Sequence, residues 1–220
     1  TKEGGGILVL SNTNANTYTG ATTVSAGTLA ITNATGLGTT AAGTTIASGA
    51  TLDLQGVAVG AEAITINGGT LATSTGTSSL SGAITLGATN NTFSVAGTQL
   101  TLSGVISGTG NGFTKEGGGI LVLSNANTYT GATTVNAGTL SVSSLANGNS
   151  ASNIGQSTSD AINLVINGGT LKYTGGSVTI DRLFTIGANG ATLDSSGTGG
   201  TLTFSATGNL ATDTGTSPTL

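Results

Sequence analysis

One eleven-residue string, Lys-Glu-Gly-Gly-Gly-Ile-Leu-Val-Leu-Ser-Asn, occurs at 2–12 and again, unchanged, at 115–125. The residues after it run in parallel too: 13–29 and 126–140 both read Ala-Asn-Thr-Tyr-Thr-Gly-Ala-Thr-Thr-Val-x-Ala-Gly-Thr-Leu once two extra residues in the first copy are passed over. Self-similarity at a fixed period limits a chain to architectures in which one unit stacks on the next. The large unit here is roughly 100–113 residues, which divides the chain into 1–112 and 113–220.

A shorter echo runs inside each unit. Small-Gly-x-Thr-Leu-x-apolar returns at 25–31, 47–54, 66–72, 136–142, 166–173, 187–195 and 199–204. A spacing of about 20–30 residues suits one coil of a solenoid. Thr, Val and Ile fit the pleated, half-buried surface of a strand. In Thr28-Leu29-Ala30-Ile31 and Thr51-Leu52-Asp53-Leu54 the period is two, so Leu faces in and its neighbour out. Asn-Gly-Gly at 67–69 and 167–169 supplies turns, and no stretch sustains the 3.6-residue period of a helix. Asn-Gly is also a hairpin signal, which keeps an antiparallel sandwich as the competing architecture. The coil-spaced return of the same phrase favours a right-handed parallel β-solenoid of about ten coils, all β, with the two units forming one continuous rod.

Composition excludes several function classes. Charged residues are 5% of the chain, against about 25% in an ordinary soluble domain. With no Cys and no His, disulfides, the usual zinc, copper and haem ligand sets, and Ser-His-Asp or Cys-His catalysis cannot be assembled. Four cations and a net charge of −4 cannot neutralise a run of phosphates, so no nucleic-acid partner is expected. No apolar run approaches the roughly 20 residues of a spanning helix, so no membrane insertion by this segment is expected either. The chain opens on a string that recurs deep inside it, and the expectation is a segment of a longer protein.

The stretch 113–142 resembles the passenger-associated transport repeat, the autotransporter-associated β-strand repeat. It carries Lys115, Gly117, Gly119, Leu121, Leu123, Asn127, Tyr129, Gly131, Thr133, Val135, Gly138 and Leu140 in the family's order, and 2–29 carries the phrase again with Tyr18, Gly20 and Gly27. The resemblance implies an exported β-helix passenger, extracellular on a bacterial surface and held at an outer membrane through a part not present here. It carries no catalytic residues with it.

The candidate sites each have a structural reading beside the functional one. Lys2-Glu3 and Lys115-Glu116 are the repeated charges; they fit a solvated turn before the Gly-Gly-Gly corner, or a salt-bridged or Lys-Asn crosslinked join. Asp181-Arg182 is a close acid–arginine pair, but glycoside chemistry needs paired carboxylates at set separations. The acids Glu3, Asp53, Glu62, Glu116, Asp160, Asp181, Asp194 and Asp213 are scattered, with Asp53 and Asp194 in the same outward slot after Thr-Leu. The strings a calcium site needs are missing. A Thr-rich face binding ice or glycan would require Thr-x-Thr at every coil, whereas Thr17, Thr73, Thr128 and Thr201 begin such strings only irregularly. Tyr18 and Tyr129, in equivalent positions, fit a wedge at the coil edge better than a sugar platform. The Asn33 and Asn90 N-x-Thr strings are weak glycosylation signals. No catalytic, cofactor or metal residue is assigned, and no cofactor. The expected role is a structural stalk or fibre and not an enzyme, with an adhesin module recognising glycan or ice as the alternative. Expected partners are the chain itself, head to tail, and a surface glycan.

Overall fold

The computed structural model describes residues 1–197 and 199–212. The strands form three long parallel stacks that share one axis. A first face holds Thr22–Val24, Thr44–Ile46, Ile64–Ile66, Ile84–Leu86 and Ile106–Ser107. A second face, ten strands deep, runs from Ile7–Leu10 through Thr28–Ile31 to Ala211–Thr212. A third holds seven strands, from Ala58–Val59 to Thr192–Asp194. The chain visits first, second and third face in turn, and all the paired strands are parallel. Val178–Ile180 and Leu202–Phe204 pair with each other in the chain-order position of the first face. The fold is therefore an all-β parallel β-solenoid, and the antiparallel sandwich falls. Nine steps between the ten strands of the second face, at about 4.8 Å each, give a rod about 43 Å long.

The small-Gly-x-Thr-Leu phrases become strands whose Leu residues stack one per coil. On the second face, Leu29, Leu52, Leu71, Phe93, Lys115, Val135, Ile166 and Ile186 lie in register. On the third, Leu100, Leu121, Leu140, Leu171 and Leu193 do. These columns form one apolar core along the axis, which explains how a chain with 3% aromatics still buries an interior. Most of its aromatics lie there: Phe93 and Phe113 rings are 4.7 Å apart, and Tyr129 meets Phe113 edge-on at 5.5 Å. Pairing crosses from 1–112 into 113–220 without a break, through Phe93↔Lys115 and Leu100↔Leu121.

The two copies of the eleven-residue string do not lie on the same face. Lys2 bridges to Val24 on the first face and Ile7–Leu10 begins the second. Lys115 lies on the second face and Ile120–Leu123 on the third. Registered positions Thr22, Thr44, Ile64, Ile84 and Ile106 are 20 to 22 residues apart, so the 113 residues from Lys2 to Lys115 make about five and a third coils. The second copy is turned by one face relative to the first.

Thr73 is fully buried beside Val95 in an inward column, and its hydroxyl has no hydrogen-bond partner among the described residues. A lone buried hydroxyl costs about 1–3 kcal/mol. Thr73→Val, of the same shape, should raise the unfolding free energy by about 1 kcal/mol; chemical denaturation of the two chains measures it.

Candidate functional site

Two features are repeated with enough regularity to be sites: the glycine corner that carries the lysine, and the threonine columns on the outside of the rod.

At the corner, Phe113 and Lys115 are two apart on one strand, so both face inward. Lys115 occupies a slot in the second-face column otherwise filled by Leu, Phe, Val and Ile, and it is 0% exposed. Its Nζ leaves the core at the bend and donates to the carbonyls of Glu116 at 3.0 Å, Gly117 at 2.7 Å and Ala137 at 3.0 Å. Lys2 repeats this with Glu3, Gly4 and Ala26 at 2.9, 2.7 and 2.8 Å. Each ammonium thus ties its own corner to the corner of the next coil. The expectation of a solvated turn fails for both lysines, and so do the salt bridge and the Lys-Asn crosslink, because parity turns the side chain inward and backbone oxygens take its three protons. Glu116 instead accepts from the Asn136 amide at 2.6 Å. Gly138 completes the joint: at φ +63, a Cβ there would lie 2.5 Å from the carbonyl oxygens of Gly117 and Gly119. Gly27 meets Gly4 and Gly6 in the same way.

Burial pushes the Lys115 ammonium down to about 8, with the Glu116 carboxylate pulling it back up. Tyr129 is sealed in the core, its hydroxyl 2.6 Å from Thr133 Oγ1, and burial raises it well above the usual phenol range. It cannot serve as a sugar platform. Tyr18, at the exposed end coil, keeps the same bond to Thr22 at 2.8 Å.

Outside, the threonines are ordered across coils and not along strands. Thr28, Thr51, Thr70, Thr92, Thr114 and Thr134 stand in one unbroken column on the second face, which Val165 interrupts before Thr185. Thr23, Thr45, Thr65 and Thr85 form another on the first face. The column beside the longer one reads Ala30, Asp53, Ala72, Ser94 and Glu116. The Thr-x-Thr strings do not stack, and Thr73 points into the core. Thr28, Thr51 and Thr70 each precede a Leu, while Thr92, Thr114 and Thr134 precede Phe93, Lys115 and Val135, so the signal for the column is a Thr before each inward residue of the strand.

The scattered acids have local duties. Asp53 takes Gln55 Nε2, Ser74 Oγ and the Ser74 N–H. Asp194 pairs with Lys172 at 2.9 Å and with Ser196, which hold its carboxyl well below the usual range. The two lie on different faces, so they form no ladder. Glu62 is buried and accepts from Thr44 at 2.7 Å; burial raises its carboxyl. Arg182 does not turn to Asp181. It lies buried under the excursion 143–163, donating to Ala146 O, Ser157 Oγ and Gly155 O, while Asp181 accepts the Gly148 N–H. The pair pins a loop. Asp213 lies outside the described residues. Among the described residues no three metal-ligating side chains come together.

The profile of the passenger-associated transport repeat family matches 1–31 and 113–142, the two lysine corners with their following coils. The chain is built on passenger-associated transport repeats. It is 41% identical over 204 residues, 91% of its length, to the adhesin BmaC autotransporter of Brucella suis biovar 1 (strain 1330), and it spans 6% of that protein. No solved structure matches it significantly. A passenger-repeat segment of this kind is secreted and displayed at the cell surface.

Two outcomes test the lysine corner. Lys115→Met strands three carbonyls and should cost about 2 kcal/mol of stability, while Lys172→Met, which loses a half-buried pair at the surface, should cost clearly less. Because the folded value of Lys115 lies below the unfolded one near 10.5, the unfolded chain holds more protons between them. Stability should therefore rise with pH from about 8 toward 10, be flatter in Lys115→Met, and fall above 10 as the unfolded form releases the Tyr129 proton. Denaturation curves across that range read both effects.

Proposed function

We propose that the chain is a non-enzymatic structural section of a surface passenger, a stiff rod that sets distance between the cell and whatever the rest of the protein presents. The observation that carries this is the ten-strand parallel stack running the length of the described chain, with a buried lysine tying one corner in each of two coils to the next. Such a rod gains its stability from nearest-neighbour coils, so length can be added without redesign. Anchoring to an outer membrane belongs, in this reading, to other parts of the protein. The relative's name, an adhesin, supports surface work but leaves the adhesive part unplaced.

The second reading makes this segment itself a glycan-binding surface. The six-threonine column favours it, with hydroxyls at the coil spacing along one line. The neighbouring Ala, Asp and Ser positions break a second line, and no exposed aromatic stands beside it to stack on a sugar ring.

Retention on immobilised polysaccharides separates the readings. The rod reading expects no retention, no depolymerised product, and identical behaviour of a Thr51→Val, Thr70→Val, Thr92→Val chain. Retention lost in that triple variant would overturn it in favour of glycan binding.

A further inference from the structure

The two copies of the repeat differ most at one connection. In the first, Thr28–Ile31 is followed by the twelve residues 32–43 before Thr44–Ile46. In the second, Thr139–Val142 is followed by the twenty-one residues 143–163 before Leu164–Ile166. Both connections contain the same turn. Leu37 and Ile154 are buried, and Gly38 and Gly155 follow them at φ +81 and +79. The next N–H donates to the Tyr18 carbonyl at 2.9 Å in one and to the Tyr129 carbonyl at 2.8 Å in the other. The extra nine residues lie six before this turn and three after it, and leave it in place.

One side chain changes with the connection. Glu62 and Arg182 each stand four residues before the buried Ile of the following coil, Ile66 and Ile186, which register on Ile46 and Ile166. Both are buried. Beside the short connection, Glu62 accepts from the Thr44 hydroxyl. Under the long one, Arg182 spreads across it. Its Nε donates to Ala146 O at 2.9 Å, Nη1 to Ser157 Oγ at 3.0 Å, and Nη2 to Gly155 O at 3.1 Å and Ser150 O at 3.4 Å. The excursion thus wraps one cation, supplied by the next coil.

The excursion also stands where one ladder of the rod is interrupted. The first face ends its run of five strands at Ile106–Ser107. Val178–Ile180 resumes it, pairing with Leu202–Phe204 and, among the described residues, with no strand before it. The gap is crossed first by 127–130, bonded to Ile106 and Gly108, and then by the excursion. On one side the excursion holds to Asn127 and Tyr129 through Ser152 and Gln156. On the other it meets the next coil through Asp181, Arg182 and the Leu183 N–H, which donates to Ser159 O at 2.8 Å. The other two faces pass this level unbroken, through Thr134, Val165 and Thr185 and through Leu140, Leu171 and Leu193. Of its large apolar side chains the excursion buries Leu145 and Ile154; the rest of its buried contacts are polar, among Ser152, Asn153, Ser157 and Arg182.

We propose that 143–163 is a strap closed over a joint in the rod, with the Arg182 guanidinium as its latch. The strap opens as one unit while the stack stays folded, because hydrogen bonds to one side chain hold it and not the leucine columns. Opening leaves the first face without support for one coil, and the rod bends there on two faces that remain paired. The bend rests on the rod reading; the strap does not.

Amide exchange followed by NMR on the whole chain tests the strap. The N–H groups of Asn149, Asn153, Gly155 and Gln156 are all hydrogen-bonded. They should share one opening, faster than the amides of Thr139–Val142 and Leu164–Ile166. Arg182→Ala should speed exchange at all four about tenfold or more and leave those strands unchanged. Tens of millimolar guanidinium should restore their protection in Arg182→Ala, and sodium at the same concentration should not, since the ion refills the latch. Electron micrographs should show straight rods for the unaltered chain and rods bent at one level for Arg182→Ala. Four amides exchanging at unrelated rates, or only together with the flanking strands, would overturn the strap from the unaltered chain alone, whether or not the variant folds. Full protection in Arg182→Ala would overturn the latch. Fast exchange in rods that stay straight would overturn the joint. Unaltered particles that are not rods would sink the rod reading, and the exchange rates would still decide the strap.

Discussion

Everything in this molecule depends on backbone pairing between successive coils. A parallel ladder fixes which residue lies above which, so a side chain chosen at one position acts together with the same position in the coils on either side. That is why so modest an inventory suffices. Leu29, Leu52 and Leu71 need not be large, because each is covered by the next. The cost of such a ladder falls at the bends, where the chain must turn three times per coil and leave carbonyls without partners. The passenger-repeat string supplies an answer at one bend: three glycines, a glycine of the next coil nested against them, and an ammonium donated from inside.

The buried lysine is the least expected part of the arrangement. A cation in an apolar column normally costs several kcal/mol. Here the charge does not stay in the core. The aliphatic stem fills the slot of a Leu and the head emerges among backbone oxygens, so one side chain serves packing and polar satisfaction together. The lowered Lys115 value records the part of the desolvation that these contacts leave uncompensated.

Much of the fold was legible in the sequence, and the reason is physical. Period-two alternation and coil-spaced Thr-Leu phrases report a stacked strand directly, and every such phrase forms one. The sites were harder. Lys115 reads as a surface charge unless its parity with Phe113 is noticed, and Arg182 reads as half of an ion pair because its partners, the carbonyls of a distant excursion, leave no mark in the sequence. The threonine columns were hidden by looking along strands for Thr-x-Thr, when the regularity runs across them. The turn of one face between the two copies needed the coil length, which only registered pairs supply.

That turn has a mechanical meaning. A corner packed with glycine and a lysine head is locally unlike the other two corners of its coil. Were it always on one side, each repeat would add its small asymmetry to the last and the rod would arc like a bimetal strip. Moving the odd corner around the axis by a third of a turn, as happens between Lys2 and Lys115, keeps the two repeats from bending the rod in the same direction without any single coil being symmetric.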